Sequence, residues 1–559
     1  MMFRCLPFVV VALLAASCLS PRKATPNSDL KNADVPTPLD GPGTSDTALL
    51  DIPTGDTGDT LTLDTGDTGD ARVGDLEVGP CEPLCDGLEC GPDGCGGSCG
   101  TCGEGTKCLY GKCVIPSNQC LDPRADDPND GCENGYVTDY QVNASNVGDQ
   151  VEPVIVSTDE EEGAFAIAWS DCPLSADSDG DGVRDYLSCN VAFRGFDVKG
   201  VPTSSKDRVG TAASAGSEYR PGIAPLNGGF MLGWIVQTGQ GRRVRARMWA
   251  LDPVVSGGYK PYPEWEDIAV GETSEVDAES PVALASSDSG LDSVVVWAGE
   301  IAKGELGIVG HRIVSPEFGV FQTPEGIFPI AKDLADQRLP VVVRLNGDTY
   351  AVLWEAALEE KQEPAGEGSD CLGIIRRLDG KPVTEFNSVW SGMFQLANDV
   401  SGSQTMPTGV AVDWGNVLIT TFLGTEDTGI LVRSFDLLGA GAIPEVPVYV
   451  NPQYEMSMPR IAALHGSRLV VVWKIENTPE DQAGGIYMRL LKADLTTLPG
   501  PIHVNGYHFD WQSAPQVAHV GGGEFIVVWE SCMGQDGDGC GIFARRFDAN
   551  GKLLPLVKP

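Results

Sequence analysis

The sequence predicts an all-β protein whose main body is a seven-bladed β-propeller built from four-stranded blades. A unit that recurs seven times with a mean spacing of 60 residues supports this fold, as do β-rich segments ending on Trp and an almost complete lack of helical periodicity. Each unit opens with a Pro before a short apolar strand, at Pro153, Pro221, Pro281, Pro340, Pro407, Pro459 and Pro515. Four short strands per unit, separated by turn residues, are typical of a propeller blade.

The second strand of each unit is rich in Val and ends on a large aromatic residue. Six units place Trp there, at Trp169, Trp234, Trp297, Trp354, Trp473 and Trp529, and the fifth unit has Thr421. An apolar run of this kind is buried on both faces, as a sheet between two neighbouring blades would be.

The third strand carries Val or Ile, followed three residues later by Arg. The arginines are Arg194, Arg247, Arg377, Arg433, Arg489 and Arg545, and the third unit has His311 instead. A residue that recurs with the period of the fold serves the fold, so we predict that these arginines pair with an adjacent Asp or carbonyl.

The ring is predicted to close through an N-terminal strand. Tyr140-Gln141-Val142-Asn143 lies before the first Pro and matches the fourth strand of the other units, whereas the last unit has only a weak fourth strand. A strand that completes the last blade from the N-terminal side removes the open sheet edges. We therefore place the propeller at residues 134–559.

Residues 1–17 are predicted to be an export signal. Arg4 precedes an apolar run from Leu6 to Ala16 that is too short to span a membrane. Leu14-Ala15-Ala16-Ser17-Cys18 resembles the lipobox of bacterial lipoproteins, which implies a lipid on Cys18; ordinary signal cleavage without lipid is the alternative. By that resemblance, Leu19 favours the outer membrane or cell surface, with lipid as the only membrane attachment.

Two further segments precede the propeller. Residues 18–80 are poor in large apolar side chains and repeat Thr-Gly-Asp, so we predict a disordered, self-repelling tether. Residues 81–133 begin with eight cysteines within 33 residues, which predicts a small disulfide-rich module; a zinc site is the competing interpretation. The run from Cys90 to Cys102 resembles Cys-rich modules beside stalks in exported proteins of delta-proteobacteria.

A candidate calcium loop lies in the first unit. Asp177, Asp179, Asp181 and Asp185 occupy positions 1, 3, 5 and 9 of an EF-hand-like loop whose sixth residue is Gly182. Carboxylates at this spacing converge on one ion because the glycine permits the tight turn. Position 12 is Ser188 rather than an acidic residue, so we expect modest affinity and a structural Ca2+; an acidic hairpin without metal is the alternative.

Three disulfides are predicted outside the eight-cysteine cluster. They join Cys172 with Cys189, Cys532 with Cys540, and Cys120 with Cys132. Once Cys5 and Cys18 are set aside, 15 of the 17 cysteines remain, which is an odd number. Cys371 stands at the matching place in the fourth unit without an upstream partner and is the candidate free thiol.

The repeats resemble those of large bacterial surface proteins, as in the segment from Gly522 to Trp529 followed by Gly541 to Gly551. This resemblance covers about three quarters of the chain and implies the fold. Because proteins with such repeats share no single activity, it carries no catalytic residue over.

Composition and motifs narrow the function. A net charge of −41 without a basic stripe excludes nucleic acid as a partner. No histidine-based zinc motif or phosphate-binding loop occurs. Only His311 and Thr421 depart from the repeated motif positions, which is thin support for an active site. The sequence therefore predicts a surface protein, not an enzyme, that binds a glycan, protein or matrix ligand; the alternative is a secreted hydrolase or lyase acting on polysaccharide.

Overall fold

The computed structural model divides the chain into Met1–Cys81 and Glu82–Pro559, and all described residues belong to the second unit. These are residues 107–109, 112–114 and 139–554, the last range interrupted at residues 146, 159–162, 177–184, 198, 204–206, 209–215, 227, 252–258, 263–266, 272–275, 278–279, 288–291, 303–304, 318–319, 324–325, 332–336, 359–367, 384–391, 399–401, 413–414, 425–428, 466, 479–482, 509–510, 533–534 and 537–538. The predicted signal, the tether, most of the Cys-rich module and the Cys120–Cys132 pair lie outside them.

Strands are the elements of regular secondary structure that the described residues form, and none of these residues forms a helix that could cross a membrane. Ahead of the propeller, β1 (Lys107–Leu109) and β2 (Lys112–Val114) pair as an antiparallel hairpin, with Cys108 opposite Cys113. The strand β3 (Tyr140–Gln141) follows and belongs to the last blade.

The first three blades are antiparallel sheets in chain order. Blade 1 contains β4 (Asp149–Ser157), β5 (Phe165–Cys172), the hairpin strands β6 (Leu174–Ala176) and β7 (Asp185–Leu187), β8 (Asn190–Phe196) and β9 (Asp207–Arg208). Blade 2 contains β10 (Ser217–Leu226), β11 (Gly229–Thr238), β12 (Gly241–Leu251), β13 (Tyr259–Tyr262) and β14 (Ile268–Ala269). Blade 3 contains β15 (Ala283–Ser286), β16 (Asp292–Ala302), β17 (Glu305–Glu317), β18 (Val320–Gln322) and β19 (Ile327–Ala331). In blades 2 and 3 the extra strand pairs with the same third strand as the fourth does.

The remaining blades repeat this order. Blade 4 contains β20 (Gln337–Arg344), β21 (Thr349–Leu358), β22 (Gly368–Arg377) and β23 (Met393–Gln395). Blade 5 contains β24 (Thr405–Val412), β25 (Val417–Leu423), β26 (Ile430–Asp436) and β27 (Gly441–Tyr449). Blade 6 contains β28 (Met456–Leu464), β29 (Arg468–Ile475), β30 (Gly485–Lys492) and β31 (Ile502–His503). Blade 7 contains β32 (Gln512–His519), β33 (Phe525–Cys532), β34 (Cys540–Phe547) and β35 (Leu553–Leu554).

The seven blades close into a ring, as the sequence predicts. The first strand of each blade, called here the inner strand, contacts the inner strand of the next blade, and β32 of blade 7 contacts β4 of blade 1. On the outer edge, β3 pairs with β34 through Tyr140 opposite Ala544, and β35 continues the same edge. The N-terminal strand therefore completes blade 7, so this blade has no open outer edge at that point.

A β-bulge fixes the register between the inner strand and the second strand. In blade 1 the two residues Glu152 and Pro153 lie opposite the single residue Trp169, and the same arrangement recurs in blades 2, 4, 5, 6 and 7. In blade 5 the residue opposite the bulge is Phe422, which is fully buried. The assignment of Thr421 to the Trp position is therefore wrong by one residue, because the bulge sets the register.

The arginine assignment also changes in one blade. In the other blades with this Arg, it lies two residues after the residue opposite the buried aromatic residue. In blade 4, Trp354 lies opposite Leu372, so this position is Ile374 and not Arg377. In four blades this Arg donates from Nη1 to a backbone carbonyl in, or one residue after, the outer strand of the preceding blade, at 2.7–3.0 Å: Arg194 to Val142, Arg433 to Leu396, Arg489 to Val448 and Arg545 to Val504. The predicted structural role is confirmed there, since the bond joins adjacent blades.

The core is divided among the interfaces between blades. Each Trp of the second strands is fully buried and packs with Val, Ile and Ala side chains of its own and the adjacent blade. Burying a large apolar side chain contributes about 1.5–3 kcal/mol, so every blade depends on its neighbours for its stability. The ring is consequently rigid around its central channel, which the inner strands line.

Candidate functional site

The bulges place an unusual backbone conformation at the end of the channel where the inner strands begin, called here the channel mouth. The residue before the unit's Pro has a positive φ of 47–56° in six blades: Glu152, Arg220, Leu339, Met406, Met458 and Ala514. This left-handed conformation is unfavourable for residues with a side chain, and residues before Pro avoid helical φ/ψ values. The ring of blades therefore holds a strained bulge residue at the mouth in each of these blades.

A second position at the mouth varies from blade to blade. It is the residue that follows the buried aromatic residue of the second strand: Ser170, Ile235, Ala298, Glu355, Leu423, Lys474 and Glu530 in blades 1 to 7. In three places its side chain accepts the N–H of the bulge residue in the next blade, from Arg220 to Ser170, from Met406 to Glu355 and from Glu152 to Glu530. The blades thus share a backbone arrangement but differ in the chemistry that they bring to the mouth.

Two glutamates are in contact where blade 7 adjoins blade 1, through the side chain of Glu530 and the backbone of Glu152. The backbone N of Glu152 lies 3.1 Å from Oε2 of Glu530. Oε1 of Glu152 accepts from Nε of Arg220 at 3.1 Å, and its Oε2 accepts from the Ser170 hydroxyl at 3.1 Å. The Glu152 side chain is 25 % exposed, whereas Glu530 is buried. We call Glu152, Ser170, Arg220 and Glu530 the mouth cluster.

The interface between blades 4 and 5 holds the same backbone contact with different side chains. Oε2 of Glu355 accepts from the N–H of Met406 at 3.3 Å, and Oε1 accepts from Nε and Nη2 of Arg338 at 3.0 and 2.7 Å. Glu355 is buried, with 3 % of its side chain exposed. Here a single carboxylate is neutralised within its own blade, and the bulge residue of the next blade is apolar.

An exposed aromatic ring borders the mouth at blade 6. Trp511 is 56 % exposed and directly precedes the inner strand β32. Nζ of Lys474 lies 5.4 Å from the centre of its ring, and Lys474 occupies in blade 6 the position of Glu530 in blade 7. A flat apolar ring next to polar groups suits stacking on the apolar face of a sugar.

The predicted calcium loop lies largely outside the described residues. Asp177, Asp179 and Asp181 are not described, and Asp185 is described only as the first residue of β7. The described strands on either side of it are paired, with Ala176 opposite Asp185. In the described part of the chain no group of three or more His, Cys, Asp or Glu side chains is arranged to hold a metal. The calcium site stays a prediction.

Two of the predicted disulfides are present, Cys172–Cys189 and Cys532–Cys540, each closing the connection from the second to the third strand of its blade. Cys371 is buried and free. The prediction that Cys371 matches the second cysteine of the disulfides in blades 1 and 7 is wrong. In blade 7, Cys540 lies three residues before the residue opposite the Trp, whereas Cys371 lies one residue before it and opposite Glu355. Burial, with the nearby Glu355 and Asp370, raises the pKa of the Cys371 thiol, so the thiol stays protonated and unreactive.

A cavity of about 390 Å3 opens at the opposite end of the inner strands, between blades 4 and 5, and is lined by Asn346, Asp348, Thr349, Ile375, Arg377 and Leu437. It contains no pair of carboxylates and no bulge residue. The mouth cluster is therefore the stronger candidate for chemistry.

The mouth cluster was not among the sites predicted from the sequence. Its residues carry no motif, and Glu152 and Glu530 are 378 positions apart. One signal was present in the repeats, since the residue before the unit's Pro and the residue after the Trp are charged in only some units. Comparing those two positions across the units, instead of the conserved motif positions, selects Glu152, Arg220, Glu355, Lys474 and Glu530.

Comparison with known proteins finds similarity among solved structures. No protein-family model and no curated protein matches the sequence. Among solved structures, an α-L-arabinofuranosidase from Fusarium graminearum is similar at 10 % identity and a TM-score of 0.40, covering 64 % of this chain and 97 % of its own. An α-L-arabinanase from Penicillium chrysogenum is similar at 10 % identity and a TM-score of 0.37, and the match covers 75 % of this chain and 100 % of the arabinanase. A puromycin-hydrolysing peptidase from Mycobacterium tuberculosis is similar at 12 % identity and a TM-score of 0.42, and its match covers 76 % of this chain and 56 % of the peptidase.

These comparisons correct the prediction that the chain is not an enzyme. The similar propellers include named glycoside hydrolases, so the fold and its repeats give no reason to exclude catalysis. The prediction failed because only the motif positions were compared between units, and these positions serve blade packing. The residues that differ at the mouth lie next to the motif positions in the sequence. At these identities the similarity concerns the fold and transfers no substrate.

Proposed function

We propose that this protein is a propeller hydrolase that acts on polysaccharide, with its active site at the channel mouth. The observation that carries the proposal is the contact of the Glu530 carboxyl group with the backbone N–H of Glu152 on the adjacent blade, with the Glu152 carboxylate held by Arg220 and Ser170. Two carboxyl groups that flank one bond are the usual equipment for hydrolysis of a glycosidic linkage.

The surroundings of each carboxyl group suggest its role. Both oxygens of Glu152 accept hydrogen bonds, and its side chain is the more exposed of the two, which suits the group that faces water or the anomeric carbon. Glu530 is buried and contacts the backbone N–H of Glu152, which suits a carboxylic acid that gives its proton to the leaving oxygen. Arg220 and Ser170 are positioning residues in this scheme.

The same contacts argue against acyl transfer. The Ser170 hydroxyl donates to Glu152 and accepts from the N–H of Arg220, so within the described residues it is bound to a carboxylate and a backbone amide rather than to a histidine. A serine nucleophile needs a base that removes its proton and a third group that orients the base. Trp511 at the rim of the mouth adds a stacking surface for a sugar ring.

The location and calcium site form part of the proposal. The chain would be exported and held at the outer membrane or cell surface by lipid on Cys18, with the tether of residues 18–80 extending the propeller from the membrane. Calcium at Asp177, Asp179, Asp181 and Asp185 would have a structural role in the hairpin of blade 1. Sequence patterns alone support these three points.

The test is depolymerisation of purified polysaccharides by purified protein, followed by the release of new reducing ends, with calcium and with chelator. A Glu152→Gln/Glu530→Gln double variant prepared in parallel controls for contaminating hydrolases. We expect at least one polysaccharide to be cleaved by the wild-type protein and not by the double variant. Equal cleavage by both proteins would move the site elsewhere, and a panel without any cleavage would contradict the hydrolase proposal.

A further inference from the structure

One position in the inner strands, which line the channel, changes from apolar to polar around the ring. The residue that follows the unit's Pro in each inner strand is apolar or Gly in four consecutive blades, namely Val154, Gly222, Val282 and Val341 in blades 1 to 4. In the next three blades it is polar, namely Thr408, Arg460 and Gln516. Since the other blades fill this position with apolar side chains, the fold itself does not require a polar group there.

Arg460 is an uncompensated cation at this level. Its Nη1 donates to the carbonyl of Pro459 in its own strand at 2.8 Å, and no carboxylate of the described residues pairs with it. The side chain is half-buried, and desolvation lowers the pKa of Arg460 to about 10, so the guanidinium is still charged at neutral pH. An isolated charge in the channel of a protein with a net charge of −41 costs stability unless an anion joins it.

In blade 2 this position faces the next blade, since a Cβ added to Gly222 would meet the carbonyl of Val282 and the side chain of Leu284 in blade 3. Arg460 holds the same register position in blade 6, whose inner strand contacts β32 of blade 7. The residue of β32 at this level is the half-buried Gln516. The Gln516 amide makes no hydrogen bond to another described residue. A guanidinium and a free amide on adjacent inner strands are donors suited to an oxyanion.

We propose that Arg460 and Gln516 form an oxyanion site in the channel wall, below the mouth, that binds a carboxylate. In the bound polymer this group is the carboxylate of a sugar acid, an identification that rests on the proposed polysaccharide hydrolase function. The anion site itself does not depend on that function. Arg460 acts as a binding residue that selects an acidic polymer, while the mouth cluster acts on the linkage.

The test is the melting temperature of the full-length protein, titrated with sodium glucuronate, with glucose as the neutral sugar and sodium sulfate as the inorganic oxyanion. Glucuronate is expected to raise the wild-type melting temperature by about 3 °C with saturation, whereas glucose has no effect. The variant Arg460→Met should melt about 1–3 °C higher without ligand, because it removes an uncompensated charge, and should no longer respond to glucuronate.

Arg433→Met is the matched control, because Arg433 binds the carbonyl of Leu396 between blades. It should melt lower and retain the full response to glucuronate. A lower melting temperature for Arg460→Met with an unchanged response would overturn the site and leave Arg460 a structural role. An equal response to sulfate and glucuronate would overturn the sugar-acid identification. These outcomes do not depend on any hydrolysis, so the hydrolase proposal and the anion site fail separately.

Discussion

The interfaces between blades 7 and 1 and between blades 4 and 5 are built on the same backbone contact. In both, a buried Glu that follows the Trp of one blade accepts the N–H of the strained bulge residue in the next blade. At blades 4 and 5 the bulge residue is Met406 and Arg338 neutralises Glu355. At blades 7 and 1 the bulge residue is Glu152, so the contact joins two glutamates, and Arg220 of the next blade holds the Glu152 carboxylate.

This difference separates a structural use of the contact from a functional one. A single buried carboxylate with its own Arg and an N–H donor stabilises the interface. A second glutamate at this contact is not required by the fold, since the interface between blades 4 and 5 makes the same contact with the apolar Met406. The interface between blades 4 and 5 is therefore an internal control for the interface between blades 7 and 1.

The largest expected effect is on hydrolysis. Glu530→Gln and Glu152→Gln should each lower kcat/KM about 10²–10⁴-fold, because each removes a group that transfers a proton or receives the developing charge. Glu355→Gln should leave kcat/KM within about threefold, because Glu355 touches no other carboxylate at the mouth. Initial rates on the cleaved polysaccharide measure all three, and an equal loss for Glu355→Gln would remove the distinction between the interfaces.

The same variants should rank in the opposite order for stability. Glu355→Gln should lower the free energy of unfolding by about 1–2 kcal/mol, because the charged hydrogen bonds from Arg338 are lost and Arg338 is itself partly solvated. Glu530→Gln should change it by less than about 0.5 kcal/mol, since the amide oxygen of Gln can still accept the N–H of Glu152 in place of the carboxylic acid. Chemical denaturation followed by circular dichroism tests the ranking, which a larger loss for Glu530→Gln would reverse.

A smaller effect is expected from making one interface resemble the other. Met406→Glu places a second carboxylate beside Glu355, where the next bulge residue is Met458 and no arginine corresponds to Arg220. We expect a loss of about 1 kcal/mol from like-charge repulsion. Adding Met458→Arg should recover at least half of it by supplying the missing cation. Unchanged stability in Met406→Glu would mean that the mouth is too well solvated for such repulsion to matter.

Much of the fold was predictable because each blade repeats the same local requirements. The Pro, the Trp and the third-strand Arg recur with the period of the fold, and they indicated the number of blades and the closure by Tyr140 and Gln141. The errors at Thr421 and Arg377 arose where a bulge shifted the register, which spacing along the chain does not reveal. The active-site candidates escaped prediction because they lie beside the motif positions.

The sequence by itself determined the all-β class, the seven repeats and the pairs Cys172–Cys189 and Cys532–Cys540, because each depends on residues close together in the chain or on a period that recurs. Only the tertiary structure decided which side chains meet at the mouth. Glu152 and Glu530 lie 378 residues apart, and Arg220 contacts Glu152 from a third blade. Ring closure brings the first blade against the last, so the Glu530 side chain reaches the backbone of Glu152 through the topology of the whole molecule.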